Sequence, residues 1–205
     1  MMYFLLSVPI VLAVLKRYRF KGYFLSPVIT LSCLLIALLS AREGKELICL
    51  AYGFSVIGDF FLAHQKISPF SYLFGVGGFF TAHAFFLSYA FLNARFSYWS
   101  VICAVILIVP YGRFLINGLY PNIRELSMRI AVTMYMLISI AVFSAAVSMD
   151  AAVFEKLLFT AGIAMILFSD TLIALSDFMG RRKLGSIILP AYYACHILIA
   201  ASMIL

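Results

Sequence analysis

Charged residues in this chain fall in short clusters, and between the clusters run apolar stretches close to 20 residues long. A bilayer core about 30 Å thick takes roughly 20 apolar residues of α-helix, with a range of about 17–25. Cutting the chain at its charged punctuation gives eight candidate helices, at about 1–15, 23–41, 47–64, 70–93, 97–120, 127–149, 155–178 and 184–205. The spans consume nearly every residue and leave loops of only a few. The expectation is an all-α membrane protein: residues 1–205 form one integral membrane domain, a polytopic bundle of eight transmembrane helices. With no room for a soluble domain, any site has to be built from the helices themselves.

Composition agrees. The chain is 65% hydrophobic and 11% charged, whereas soluble domains carry about a quarter charged residues. The first apolar run has no basic residue before it and Lys16, Arg17, Arg19 and Lys21 after it, the reverse of the charge order of a secretory signal peptide. It is read as a retained helix.

A net charge of +7 invites a nucleic-acid reading, but no basic stretch is interleaved with aromatics on a polar face. The expected partner of these charges is the anionic lipid headgroup. Loops 1–2, 3–4, 5–6 and 7–8 carry Lys16, Arg17, Arg19, Lys21, Lys66, Arg124, Arg129, Arg181, Arg182 and Lys183, against Arg42, Lys45, Arg95 and Lys156 on the other side. The positive-inside bias then puts the basic loops in the cytoplasm and both termini outside. In a bacterium this would be the cell membrane. Cys33, Cys49, Cys103 and Cys195 lie singly in apolar segments, with no CxxC spacing and no adjacent charge to make a reactive thiolate.

Two carboxylates break the apolar runs: Asp59 in helix 3 and Asp170 in helix 7. An acid at mid-membrane costs roughly 2.5–3.5 kcal/mol even on the lenient insertion scale, so it is by default a functional hypothesis with a partner to be found. The sequence around them repeats weakly: Gly58-Asp59-Phe-Phe-Leu62-Ala63 matches Ser169-Asp170-Thr-Leu-Ile173-Ala174, and each is followed one helix later by a histidine, His83 and His196. In an eight-helix count, helices 3 and 7 run the same way, which fits two parallel four-helix halves. Further polar groups reach the same depth. Ser55 lies one turn from Asp59, and Tyr192 one turn from His196; helix 5 adds Tyr111, Arg113 and Asn117 beyond a kink expected at Pro110, and helix 6 adds Thr133, Tyr135 and Ser139. One cytoplasm-facing cavity is expected. Asp177, beside Arg181-Arg182-Lys183, and His64, beside Lys66, read as interfacial.

Two carboxylates in one low-dielectric pocket divide into an acid and a base. Such a pair suits hydrolysis through an oxocarbenium-like intermediate, in which one group protonates and the other activates water. No GxSxG, HExxH or P-loop sequence is present, so acyl-enzyme, zinc-protease and phosphoryl-transfer readings lack their motifs.

The pieces Ser55-x-x-Gly58-Asp59-x-x-Leu62, Gly78-Phe-Phe-x-x-His83, Tyr135-x-x-Ile138-Ser139, Gly162-x-x-x-x-Leu167-Phe168-Ser169-Asp170-x-x-Ile173-Ala174 and Tyr192-Tyr193-x-x-His196 resemble, in order and spacing, the YhhN family of membrane proteins, which includes lysoplasmalogenases of the TMEM86 type. The resemblance implies hydrolysis of the vinyl ether bond of lysoplasmalogens, lysophospholipids with an ethanolamine or choline headgroup, to a fatty aldehyde and glycerophosphoethanolamine or glycerophosphocholine. It implies Asp59 and Asp170 as the acid/base pair, with His83 and His196 orienting or polarising. Ser55, Tyr111, Tyr135, Ser139, Ser169 and Tyr192 would line the substrate site. Arg113, with Arg124 and Lys66, would hold the headgroup phosphate. This reading needs no metal or cofactor. Two alternatives stay open: a metal-dependent lipid hydrolase with Asp59, His83, Asp170 and His196 as zinc ligands, and a proton-coupled transporter using the same acids as a relay.

Overall fold

The structure, a computed structural model, describes residues 5–18, 25–64, 69–95 and 97–205. Helices follow one another as α1 (Ser7–Tyr18), α2 (Leu25–Leu39), α3 (Lys45–Ala63), α4 (Pro69–Leu92), α5 (Tyr98–Arg113), α6 (Leu126–Val147), α7 (Val153–Met179) and α8 (Gly185–Ser202). The order and approximate limits are those expected from the sequence. Among the described residues, six helical stretches are long and apolar enough to cross a membrane, from α3 through α8. The described parts of the other two are shorter, so six of the eight expected spans are found among the described residues. At 1.5 Å per residue, the 12 residues of α1 reach about 18 Å and the 15 of α2 about 22 Å.

Pro110 lies inside α5 and, lacking an N–H, cannot serve the carbonyl one turn earlier. Directly after α5 the helix widens into a π turn, Phe114–Leu119, and then tightens to a 3₁₀ turn, Tyr120–Asn122. The change of pitch turns Leu115 and Leu119 inward, where both are buried. Arg129 fastens the irregular stretch by donating from Nε to the Ile123 carbonyl (2.8 Å) and from Nη2 to the Tyr120 carbonyl (2.9 Å). That use of Arg129 was not anticipated from its place among the basic loops.

α3 packs most extensively on α4, and α7 on α8. Both crossings are closed by glycine. A Cβ at Gly78 would come within 3.0 Å of Gly58 N and 3.1 Å of Phe54 O, and one at Gly162 within 3.0 Å of Cys195 O; backbones approach this closely only where a side chain is missing. The neighbour pairs also recur with an offset of four. α1 touches α2 as α5 touches α6, α2 touches α3 as α6 touches α7, α3 touches α4 as α7 touches α8, and α4 touches α6 as α8 touches α2.

Ile29, Cys33, Tyr52, Phe86, Phe159, Cys195 and Ile199, all at most 2% exposed, knit α2, α3, α4, α7 and α8 into one core. Cys33 and Cys195 are thiols packed as small apolar groups. Where the α2–α3, α4–α5 and α6–α7 connections lie, the bundle is clasped shut: Arg42 pairs with Glu155 at 2.8 Å and Arg95 with Asp150 at 2.7 Å. Main-chain bonds Arg95 N to Ser148 O (3.1 Å) and Asp150 N to Asn93 O (2.7 Å) tie two of these connections together. The opposite end carries the basic connections, and there the bundle is hollow.

Candidate active site

The hollow is a cavity of about 500 Å³ between the C-terminal parts of α3, α5 and α7 and the N-terminal parts of α4, α6 and α8. Its wall is mostly apolar, from Leu62, Val76, Phe79, Leu115, Met136, Ile173 and Ile188 among others. Asp59 and Asp170 both face into it, although 111 positions separate them in sequence. Tyr111, Tyr135, Ser139 and Tyr192, expected at the site, line it as well.

Each carboxylate has its own set of polar neighbours. Thr30 in α2 donates its hydroxyl to Asp59 Oδ2 at 2.6 Å, and the buried Tyr192 hydroxyl lies near Asp59 and Thr30 without a formed hydrogen bond. Asp170 Oδ2 lies 3.5 Å from His83 Nε2, and the Tyr135 hydroxyl faces Asp170. His83 is fixed from behind, its Nδ1 bonded to the Phe79 carbonyl at 2.8 Å and its ring 4.9 Å from that of Tyr135. The two sets correspond element by element. Each Asp sits on the third helix of a four-helix run, meets a hydroxyl from the second helix of its own run (Thr30 or Tyr135), and meets a group from the fourth helix of the other run (Tyr192 or His83).

Other residues singled out from the sequence stand further back. His196 is 1% exposed, lies against the rings of Tyr52 (5.4 Å) and Tyr192 (4.5 Å, edge-on), and does not line the cavity. Its backbone carbonyl accepts from the Tyr52 hydroxyl at 2.7 Å. Ser55 turns its hydroxyl back to Ala51 O (2.9 Å), and Ser169 reaches across to Ile188 O in α8 (3.4 Å); both are buried in helix contacts. Ser139 lines the cavity while donating to Tyr135 O at 2.9 Å. Tyr111 bridges α5 to α7 through its hydroxyl and that of Thr171, 2.9 Å apart. Arg113 and Arg124 are exposed at the basic end, and Lys66 lies outside the described residues. Among the described residues no three His, Cys, Asp and Glu side chains are gathered as metal ligands. The four-ligand zinc arrangement therefore has no assembled ligand set here, His196 standing behind Tyr192.

Thr30 is the residue that sequence reasoning passed over. Its signal is a hydroxyl inside the apolar run of helix 2, one turn from Ser26 and so on the same face. Ser26 also lines the cavity, and its hydroxyl sits 2.6 Å from that of Tyr193.

Compared with known families, the chain matches the model of the YhhN family over residues 22–203. Searches of curated proteins and of solved structures returned no match.

Proposed function

The chain belongs to the YhhN family, and from that membership and its cavity we propose that it is an intramembrane hydrolase of the lysoplasmalogenase kind, cleaving the vinyl ether bond of a lysophospholipid. The observation that carries the proposal is the pair Asp59 and Asp170 facing one apolar cavity. Carboxylates are costly at this depth, and a pair across one cavity supplies what a vinyl ether needs, an acid on one side and a base on the other. The cavity wall suits an alkenyl chain. Arg113 and Arg124, at the basic end, would hold the headgroup phosphate, with Lys66 alongside. Further support for treating the protein as two four-helix halves comes from the neighbour pairs that recur with an offset of four. The basic end is proposed to face the cytoplasm, with both termini outside.

The chemistry runs in three balanced steps. One carboxylic acid protonates the β-carbon of the vinyl ether, and the double-bond electrons leave an oxocarbenium ion at the α-carbon. Water adds there and gives its proton to the other carboxylate. The hemiacetal then loses its hydroxyl proton to the first carboxylate as the C–O bond to glycerol breaks, and the second carboxyl protonates the departing oxygen. Both groups return to their starting states, with aldehyde and glycerophospho-alcohol released.

Mass spectrometry of purified protein incubated with lysoplasmenylethanolamine or lysoplasmenylcholine tests this. Fatty aldehyde is expected from the wild type and is expected to vanish in Asp59→Asn and Asp170→Asn. Absence of aldehyde from the wild type, or flux of intact lipid across reconstituted vesicles without product, rejects the hydrolase.

A further inference from the structure

Accepting that acid/base reading, we propose that the two carboxylates have fixed and different roles: Asp170, backed by His83, delivers the proton, and Asp59, held by Thr30, is the base. The assignment begins at the histidine. A carbonyl oxygen only accepts, so the Phe79 carbonyl at 2.8 Å places the hydrogen of the His83 ring on Nδ1. Nε2 is left facing Asp170 Oδ2 at 3.5 Å, and neither of these buried atoms has a hydrogen-bond partner. One proton held between Nε2 and Oδ2 satisfies both atoms, and on the proposed roles it sits on the Asp170 carboxyl, whose O–H then donates to the Nε2 lone pair. At 3.5 Å the two atoms lie just beyond the usual hydrogen-bond length.

Asp59 is arranged in the opposite sense. Thr30, itself fully buried, donates to Oδ2 at 2.6 Å, so this carboxylate oxygen acts as an acceptor. The second contact of the Thr30 hydroxyl, to Ser26 O, is 3.3 Å long and secondary. Where Asp170 meets an imidazole across the run boundary, Asp59 meets the phenol of Tyr192. A phenol at that position has a hydrogen to offer a carboxylate, whereas an imidazole Nε2 that carries no hydrogen accepts from a carboxylic acid. The Tyr135 hydroxyl faces Asp170 as the Thr30 hydroxyl meets Asp59, so the two surroundings match on the second helix and differ in the group supplied by the fourth. In the reaction, Asp170 therefore protonates the β-carbon, Asp59 takes the proton of the attacking water, Asp170 recovers a proton from the hemiacetal hydroxyl, and Asp59 protonates the departing glycerol oxygen.

Azide separates the roles, because it attacks an oxocarbenium ion without needing a base. Asp59→Ala and Asp170→Ala are each expected to lose about a hundredfold or more in aldehyde release. Added sodium azide should restore turnover in Asp59→Ala at least about tenfold, with an α-azido ether among the products, and leave Asp170→Ala unchanged. Rescue of Asp170→Ala, of both, or of neither overturns the assignment. A second measurement needs no substrate. Infrared spectroscopy of the resting protein should show a buried carboxylic-acid C=O band that Asp170→Asn removes and Asp59→Asn retains. If that band is absent, or belongs to Asp59, the assignment fails. If it belongs to Asp170 but the wild type releases no aldehyde, the proton assignment stands and the substrate proposal falls.

Discussion

Replacing Thr30 by valine removes one hydroxyl and almost no volume. The hydroxyl donates to Asp59 Oδ2 at 2.6 Å from a side chain that is 0% exposed, so water cannot take its place. Hydrogen bonds to charged groups are worth roughly 1.5–3 kcal/mol, and a site closed to water points to the upper half of that range. That bond already exists at rest, so what Thr30→Val takes from the transition state is the fixed aim of the base and less than the whole bond. At about 1.4 kcal/mol per decade of rate, kcat should fall by about 10- to 100-fold. Thr30 does not line the cavity, so KM should stay within about twofold, the pattern of a group whose effect is felt in the transition state. Thr30→Ser keeps the donor and should retain kcat within about threefold. The assay is aldehyde release from a lysoplasmalogen in detergent, with melting temperature measured in parallel. A Thr30→Val enzyme with near-wild-type kcat, or one whose loss lies wholly in KM, would refute the role given to Asp59 and its donor.

The remaining expectations concern the frame around the site. Gly78→Ala puts a Cβ 3.0–3.2 Å from the α3 backbone and should cost about 1–3 kcal/mol; an unchanged melting temperature would show that α3 and α4 can separate without penalty. Arg42→Ala strands Glu155, which is 5% exposed. Because the Arg42 side chain is 31% exposed, the cost expected is roughly 1–3 kcal/mol rather than that of a fully buried pair. Glu155→Gln added to Arg42→Ala should recover part of the loss, and no recovery would mean that the ion pair is not what Arg42 contributes. Ala174→Phe fills part of the cavity, which Ala174 lines. It should raise KM severalfold with little change in melting temperature, and unaltered kinetics would place the substrate elsewhere.

The run lengths made the helices legible because apolar stretches and charge clusters alternate along nearly the whole chain. The first run, at about 15 residues, is already shorter than the usual span, and the described parts of the first two helices, Ser7–Tyr18 and Leu25–Leu39, are the shortest of the eight. Asp59 and Asp170 stood out through the cost of placing an acid in an apolar run, and both do line the one cavity. Ser55 and Ser169 stood equally close in sequence but turn away into helix contacts; a one-turn spacing fixes a face, and which face meets the cavity is decided by packing. Thr30 was invisible for the converse reason. A hydroxyl in an apolar helix can satisfy itself on the preceding turn's carbonyl, as Ser55 does, so nothing local marks one that has found a carboxylate instead.

The repeat in the sequence suggests pairing each Asp with the His that follows it, Asp59 with His83 and Asp170 with His196. The geometry crosses that pairing. His83 meets Asp170, while α8 offers Asp59 its Tyr192 and keeps His196 behind. The crossing follows from the neighbour pattern, in which the fourth helix of each run packs on the third helix of its own run and also on the second helix of the other. A four-helix run by itself therefore holds an acid and one hydroxyl but lacks the group that completes the acid's surroundings. On the proposed roles, the exchange also explains how two equivalent positions would come to do unequal work. Each acid takes its decisive neighbour from the other run, so a single difference between runs, imidazole in one and phenol in the other, separates the proton directions of both carboxylates while the helix frame stays matched.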